Sequence, residues 1–168
     1  MADTRPLQIT LAQASAIVDA ALARAREGAF NPMAVAVIDA GGHLVVFKRE
    51  DRSGILRFEI AFAKAYGALG MGFSPREIAD RAVGNPYFIS ALTAISGGRL
   101  VPAPGGVLIV SDGEMIGAVG ISGDTSDNDE ICALEGIKAV RFEAKPGATD
   151  PPAPVVTLTQ PNNLKRGA

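Results

Sequence analysis

The chain has 168 residues, 48% of them hydrophobic and 20% charged, with a net charge of −2; that profile fits one globular unit able to bury a sizeable core. The basic residues are dispersed rather than clustered, so a nucleic-acid partner is not expected. A single cysteine, Cys132, and a single histidine, His43, exclude intrachain disulfides and leave no metal site from protein side chains alone. No apolar run approaches membrane-spanning length and MADTRPLQIT has no signal-peptide h-region, so a cytoplasmic protein with no membrane partner is expected.

The first predicted helix opens at Thr10, which forms a capping box with Gln13, and closes at Gly28, with Leu11, Ala14, Val18, Ala21, Leu22 and Ala25 at helical spacing. Met33 to Ile38 is a strand, Asp39 to Gly42 a turn, and Leu44 to Phe47 its hairpin partner. Lys48 to Arg52 leaves that strand as a charged, solvated loop. Phe58, Ala61, Phe62, Ala65 and Leu69 mark one face of a second helix, and Ile60, Lys64, Gly67 and Met71 mark another. A helix apolar on two sides is central in its fold or lies at a subunit interface. Lys64, in the second stripe, either snorkels to water or holds an anion in a pocket.

Ser74-Pro75 starts a third helix that Gly84-Asn85-Pro86 closes; a short helix from Tyr87 to Ile95 follows, then Gly97-Gly98. Leu100-Val101 is expected as an edge strand, because Pro102 and Pro104 beside it rule out a central position. Val107 to Val110 and Met115 to Ile121 flank Asp112-Gly113, a strong hairpin signal. The second of these strands runs into Gly120 to Asp124 and then a helix of about Ser126 to Glu143, with Ser126 and Asp129 as a capping box and Ile131, Leu134, Ile137 and Val140 on one side. From residue 145 a proline-rich tail follows, leaving 1–144 as a single domain. Within the tail Val155 to Leu158 is the only apolar stretch, either an extended arm on a neighbouring subunit or mobile. The order helix, hairpin, three helices, hairpin, helix predicts an α+β domain with an antiparallel sheet.

At this point the residues resemble a known family. Val37-Ile38-Asp39-Ala40-Gly41-Gly42-His43-Leu44 with Phe47 and Arg49, then Lys64-Ala65-Tyr66, Gly97-Gly98, Pro104-Gly105-Gly106-Val107, and Gly117 to Gly123 ending in Asp129 resemble the motifs of the GlcG/HbpS-like proteins, also called haem-degrading or DUF336 domains. The resemblance covers about residues 7 to 143. It implies a profilin-like α/β/α arrangement, a central antiparallel sheet of about five strands with helices on both faces, and homo-oligomeric assembly. It also implies haem or a related tetrapyrrole as ligand for some members. One departure stands out: haem-binding relatives can supply a histidine from the first helix, and this chain has none between Leu7 and Gly28.

Three functions follow as expectations. In the first, the chain binds haem or a related anionic small molecule. Tyr66 and His43 are the foremost axial candidates, ahead of Tyr87, Met71 and Cys132, with Lys64 able to pair a propionate. The second is an enzyme acting on a carboxylate or carbonyl compound. There Lys64, Arg49 or Arg57 would hold the anion and Asp39 or Asp124 would move protons. Backbone amides around Gly120, Ser122 and Gly123, approached by Gly105 and Gly106, would form an oxyanion corner. The third is a non-catalytic oligomeric module. The glycine corner and Lys64 are expected to enclose a hollow receptive to negative charge. Otherwise the glycines only permit a tight corner and the acids only complement the helix dipole.

Overall fold

Two apolar hairpins interleave to make one sheet. In the computed structural model, which describes residues 8–146, β1 (Ala34–Asp39) pairs with β2 (Leu44–Arg49), and β3 (Gly106–Ser111) with β4 (Glu114–Ser122). β1 lies against β4, so the two hairpins join through their inner strands, and β5 (Glu143–Lys145) closes the far edge. All pairings are antiparallel, in the order β2-β1-β4-β3-β5. Asp112 and Gly113 both have positive φ, 51° and 81°, as a tight two-residue hairpin turn requires.

Alternation along the strands assigns the two faces. Val35, Val37, Val107, Ile109, Val119 and Ile121 point to the side covered by α1 (Leu11–Glu27) and α5 (Ser126–Ala139). Those two helices pack together closely, since a Cβ at Gly136 would lie 2.6 Å from the Ile17 carbonyl oxygen. On the opposite face Ala36, Gly120 and Gly106 are register neighbours, a row almost without side chains, and α2 (Arg57–Met71) sinks onto it. A Cβ at Gly120 would fall 1.9 Å from the Ala61 carbonyl oxygen; only glycine allows helix and strand backbones that close. α3 (Pro75–Gly84) and α4 (Pro86–Ile95) form an annex around Ile78, Ile89 and Leu100.

Three expectations are corrected. Leu100-Val101 is not a strand: the neighbouring prolines remove ladder donors, and Leu100 instead fills the annex core at 4% exposure. The fifth strand is β5, because the last helix ends at Ala139 and Arg141, at φ 62°, turns the chain back along β3. The N-cap of α5 is Thr125 rather than Ser126, its hydroxyl accepting from the Asn128 N–H. The buried side of the helix is Asp129, Glu130, Cys132, Ala133, Gly136 and Ile137, so of the expected stripe Ile137 is buried while Ile131 is exposed. The proline-rich tail, with Val155 to Leu158, lies outside the described residues apart from Lys145 and Pro146.

Candidate functional site

α2 divides the expected site residues into two groups. Lys64 leaves the helix toward the start of α5, where its Nζ donates to Asp129 Oδ2 at 2.8 Å and to the Ile121 carbonyl at 3.0 Å. Both side chains of the pair are buried. The other Asp129 oxygen accepts from the Asp124 N–H at 3.0 Å. Burial pushes the Asp129 carboxyl above the ordinary carboxylate range, against the pull of Lys64 and Arg57.

Around this pair the corner is closed. Gly105 has φ +112°, and a Cβ there would meet Asp129 Cβ and Lys64 Nζ, both at 2.8 Å. Gly106 lies under the Lys64 carbonyl, and Gly123 lies against Pro32 and Met33. The Ile121 N–H is given to the Gly105 carbonyl. Ser122 accepts from Arg57 at 3.0 Å. Asp124 accepts from the Asn31 N–H, the Asn128 side chain and the Thr125 N–H, which together hold its carboxyl down at about 2. The hollow expected at this corner is therefore filled by α2 and by internal bonds. An anion reaching Lys64 would have to displace a buried carboxylate.

The other side of α2 is open. Phe58, Phe62 and Tyr66 follow one another at i, i+4 and i+8, with ring centroids 6.0 and 5.7 Å apart. Phe47 of β2 meets Phe58 edge-on at 4.7 Å. The register Phe47–Ala36–Gly120 and Leu44–Ile38–Ala118 puts Phe47 and Leu44 on the face that carries α2, yet at the sheet edge. Leu44 is left 43% exposed and the four aromatic rings only half-buried. Arg49, two residues beyond Phe47 on the same face, is exposed. The Arg99 guanidinium stands 4.3 Å from the centre of the Tyr66 ring and is anchored by its Nε to the Ser96 carbonyl.

The β1–β2 turn borders this strip: a Cβ at Gly42 would lie 3.0 Å from the Tyr66 ring. Asp39 Oδ1 accepts the Gly41 and His43 N–H groups at 2.8 and 2.9 Å and lies 3.2 Å from His43 Nδ1. With Nδ1 so engaged, Nε2 is the ring nitrogen left for a ligand, and the His43 side chain is 81% exposed. The structure thus brings Tyr66, Arg99 and Arg49 to one open aromatic surface and sets the β1–β2 turn, with Asp39 and His43, at its border through Gly42. Tyr87 stands apart on α4, Met71 ends α2, and Cys132 is buried, its thiol pushed up to about 11 by burial.

Sequence reasoning missed two participants. In the sequence Asp129 reads as the acid of a capping box, although a lysine in an apolar stripe is itself a signal for a buried carboxylate partner. Arg99 carries no sequence signal, because its approach to Tyr66 depends on how the annex folds.

The description "Haem degrading protein HbpS-like" matches this chain over residues 9–138. The chain belongs to the HbpS-like family. It is 34% identical over 126 residues to an uncharacterized 15.0 kDa protein of Citrobacter freundii from the dhaT-dhaS intergenic region, covering 74% of this chain and 87% of that one. Among solved structures it superposes on a PduOC:heme complex with TM-score 0.75 and 27% identity, over 83% of this chain and 99% of that one. It also superposes on Klebsiella pneumoniae ORFY, a DUF336 protein, with TM-score 0.74 and 26% identity, over 83% and 96%. These neighbours share the α+β architecture of a five-stranded antiparallel sheet with helices on both faces. Among the described residues no helix is long and apolar enough to cross a membrane.

Proposed function

We propose that this member of the HbpS-like family binds haem, or a tetrapyrrole of the same shape and charge, on the aromatic strip between α2 and the β1–β2 hairpin. The approach of the β1–β2 turn, which carries His43, to Tyr66 at a half-open aromatic face carries the reading. The donor set fits the group: an imidazole with one nitrogen held by a carboxylate is a favourable axial ligand, and the Phe47, Phe58 and Phe62 rings offer a flat apolar bed. Arg99 and Arg49 are cations on that same surface, suited to propionates. The likeness to a protein seen with haem supports the choice of ligand, and the lack of a histidine on α1 moves the ligand role to the hairpin turn. When bound, haem would bring redox-active iron. The residues of this chain would bind it, orient it and neutralise its carboxylates. Self-association into a homo-oligomer belongs to the same reading, because a haem resting on so open a strip needs further cover from water.

Titration with haemin tests this. A saturable Soret shift is expected in the wild type, abolished by His43→Ala and weakened or red-shifted by Tyr66→Phe. No saturable shift in the wild type would reject haem as the ligand, and an unchanged spectrum in both variants would reject this strip as its place.

A further inference from the structure

Between Arg81 and Arg99 the chain has no charged residue, and α4 lies in the middle of that stretch. Its inner side is accounted for: Ile89 is buried and Leu92 half-buried against Ile78 and Leu100, while the Thr93 hydroxyl donates to the Ile89 and Leu100 carbonyls. Its outer side is as apolar as its inner one. Tyr87, Ala91, Ala94 and Ile95 recur at i, i+4, i+7 and i+8 and all are exposed; Tyr87 is 88% and Ile95 82% exposed, with Phe88 beside them at 53%. Val83, at the end of α3, extends the patch at 88%. An exposed helix normally carries charge on its outer face, and charge depletion with exposed aromatics marks the centre of an interface.

We infer that a second copy of this chain docks on the outer face of α4, helix against helix. This face belongs to the annex and not to the aromatic strip, so the inference stands independently of the haem reading. Three observations favour a second copy over a different protein. The exposed parts of Val83, Tyr87, Phe88 and Ile95 come to roughly 600 Å², taking about 150–250 Å² for a whole aromatic side chain. With Pro86, Ala91 and Ala94 the face reaches about 800 Å², one partner's share of a standard stable interface and more than a lone soluble chain commonly leaves exposed. The patch carries no charge with which to select an oppositely charged partner, whereas a two-fold interface needs only a surface that complements itself. Ala91 and Ala94 lie between the larger side chains, so two such helices can interdigitate at ordinary interaxial distance.

The test is the mass of the full chain in solution, by sedimentation or light scattering across a dilution series. The wild type is expected at twice the chain mass or a higher even multiple. Tyr87→Asp and Ile95→Asp should each at least halve that mass, or raise the half-association concentration about thirtyfold, as expected for losing an interface anchor. Far-UV circular dichroism should be unchanged, since both positions are solvent-facing within one chain. Tyr87→Gln and Ile95→Gln provide the same reading should an aspartate variant fold poorly. A monomeric wild type, or an undiminished mass in the variants, would overturn the inference. So would dissociation by Val156→Asp but not by the α4 variants, because the tail would then be the connecting element. Haemin titration of the same samples keeps the two ideas apart: absence of a Soret shift counts against the ligand, and the mass alone decides the surface.

Discussion

Replacing Lys64 by methionine separates a structural ion pair from a working lysine. Lys64 is 3% exposed and Asp129 1%; the substitution keeps the volume of the chain but leaves a buried carboxylate facing a thioether. Its one remaining donor of those described above is the Asp124 N–H. Breaking a buried pair from one side costs about 3–5 kcal/mol, a large part of the roughly 5–15 kcal/mol that holds a domain folded. For a chain of this size the melting temperature should fall by about 10 °C. The double variant Lys64→Met/Asp129→Leu removes both charges and should recover most of the loss, short by about 1 kcal/mol for the hydrogen bond from Asp124.

The pH dependence has a definite sign. Burial already raises the Asp129 carboxyl, and Lys64 opposes that rise; removing Lys64 raises it further. A carboxyl whose native pKa exceeds its unfolded value keeps its proton to higher pH when folded, so stability falls as pH rises through the interval and returns as pH is lowered. Urea denaturation of the wild type, Lys64→Met and the double variant at pH 7 and pH 5 is the assay, with unchanged m-values as the control. Lys64→Met should regain part of its deficit at pH 5. A deficit below about 1 kcal/mol at pH 7 would refute the argument, given what one-sided removal of a buried charge costs. So would a deficit that deepens on acidification.

Other expectations follow from the same geometry. Gly120→Ala should cost at least about 3 kcal/mol, the upper end for overpacking, because the new methyl meets helix backbone rather than a movable side chain; thermal melts measure it, and a near-neutral result would mean α2 is free to shift. Asp124 is ionised down to about 2 in the folded chain against an ordinary 3.8, so its contribution is complete above that ordinary value and lost as pH falls toward 2. Asp124→Asn should therefore flatten the acid limb of a stability profile between those values, and an unchanged slope would assign the limb to other groups. Asp39→Asn keeps the turn but weakens the hold on His43 Nδ1; haem affinity should drop by about 10–100-fold, as for the loss of a carboxylate behind a metal-bound histidine, while the melting temperature changes little.

Most of the architecture was legible because it rests on local chemistry. The Asp112-Gly113 turn, the Thr10–Gln13 capping box and the aliphatic strands each declare themselves within a few residues, and the structure contains all of them. Legibility failed where two segments distant in sequence compete for one position. Leu100 reads as strand by composition but is taken by the annex core, and the short Glu143–Lys145 segment becomes the edge strand because β3 has a free side. The candidate site was legible as residue types and not as an arrangement. Helical spacing sets Tyr66 on the side of α2 away from Lys64, but nothing in the sequence brings the β1–β2 turn, with His43, or Arg49 to that side. The glycines carried the most misleading signal: the same lack of a side chain that lets a backbone approach a ligand lets it approach a helix.

The width of the sheet accounts for the open strip. A helix with its side chains is about 10–12 Å across, whereas five strands spaced about 4.8 Å apart span roughly 20 Å. One helix cannot cover the face, so its position decides which edge stays bare. Gly106 and Gly120 let α2 sink onto the sheet, centred on the middle strand β4, and Lys64 reaches down from it to Asp129. α3 then packs beside α2 on the β3 side. Nothing among the described residues covers the outer half of β2 on that face, and the chain fills it with rings from β2 and α2 rather than with polar side chains. A surface made this way is costly to leave in water at about 25 cal/mol per Å² of apolar area. That cost is relieved only when something flat and apolar, or another subunit, lies on it.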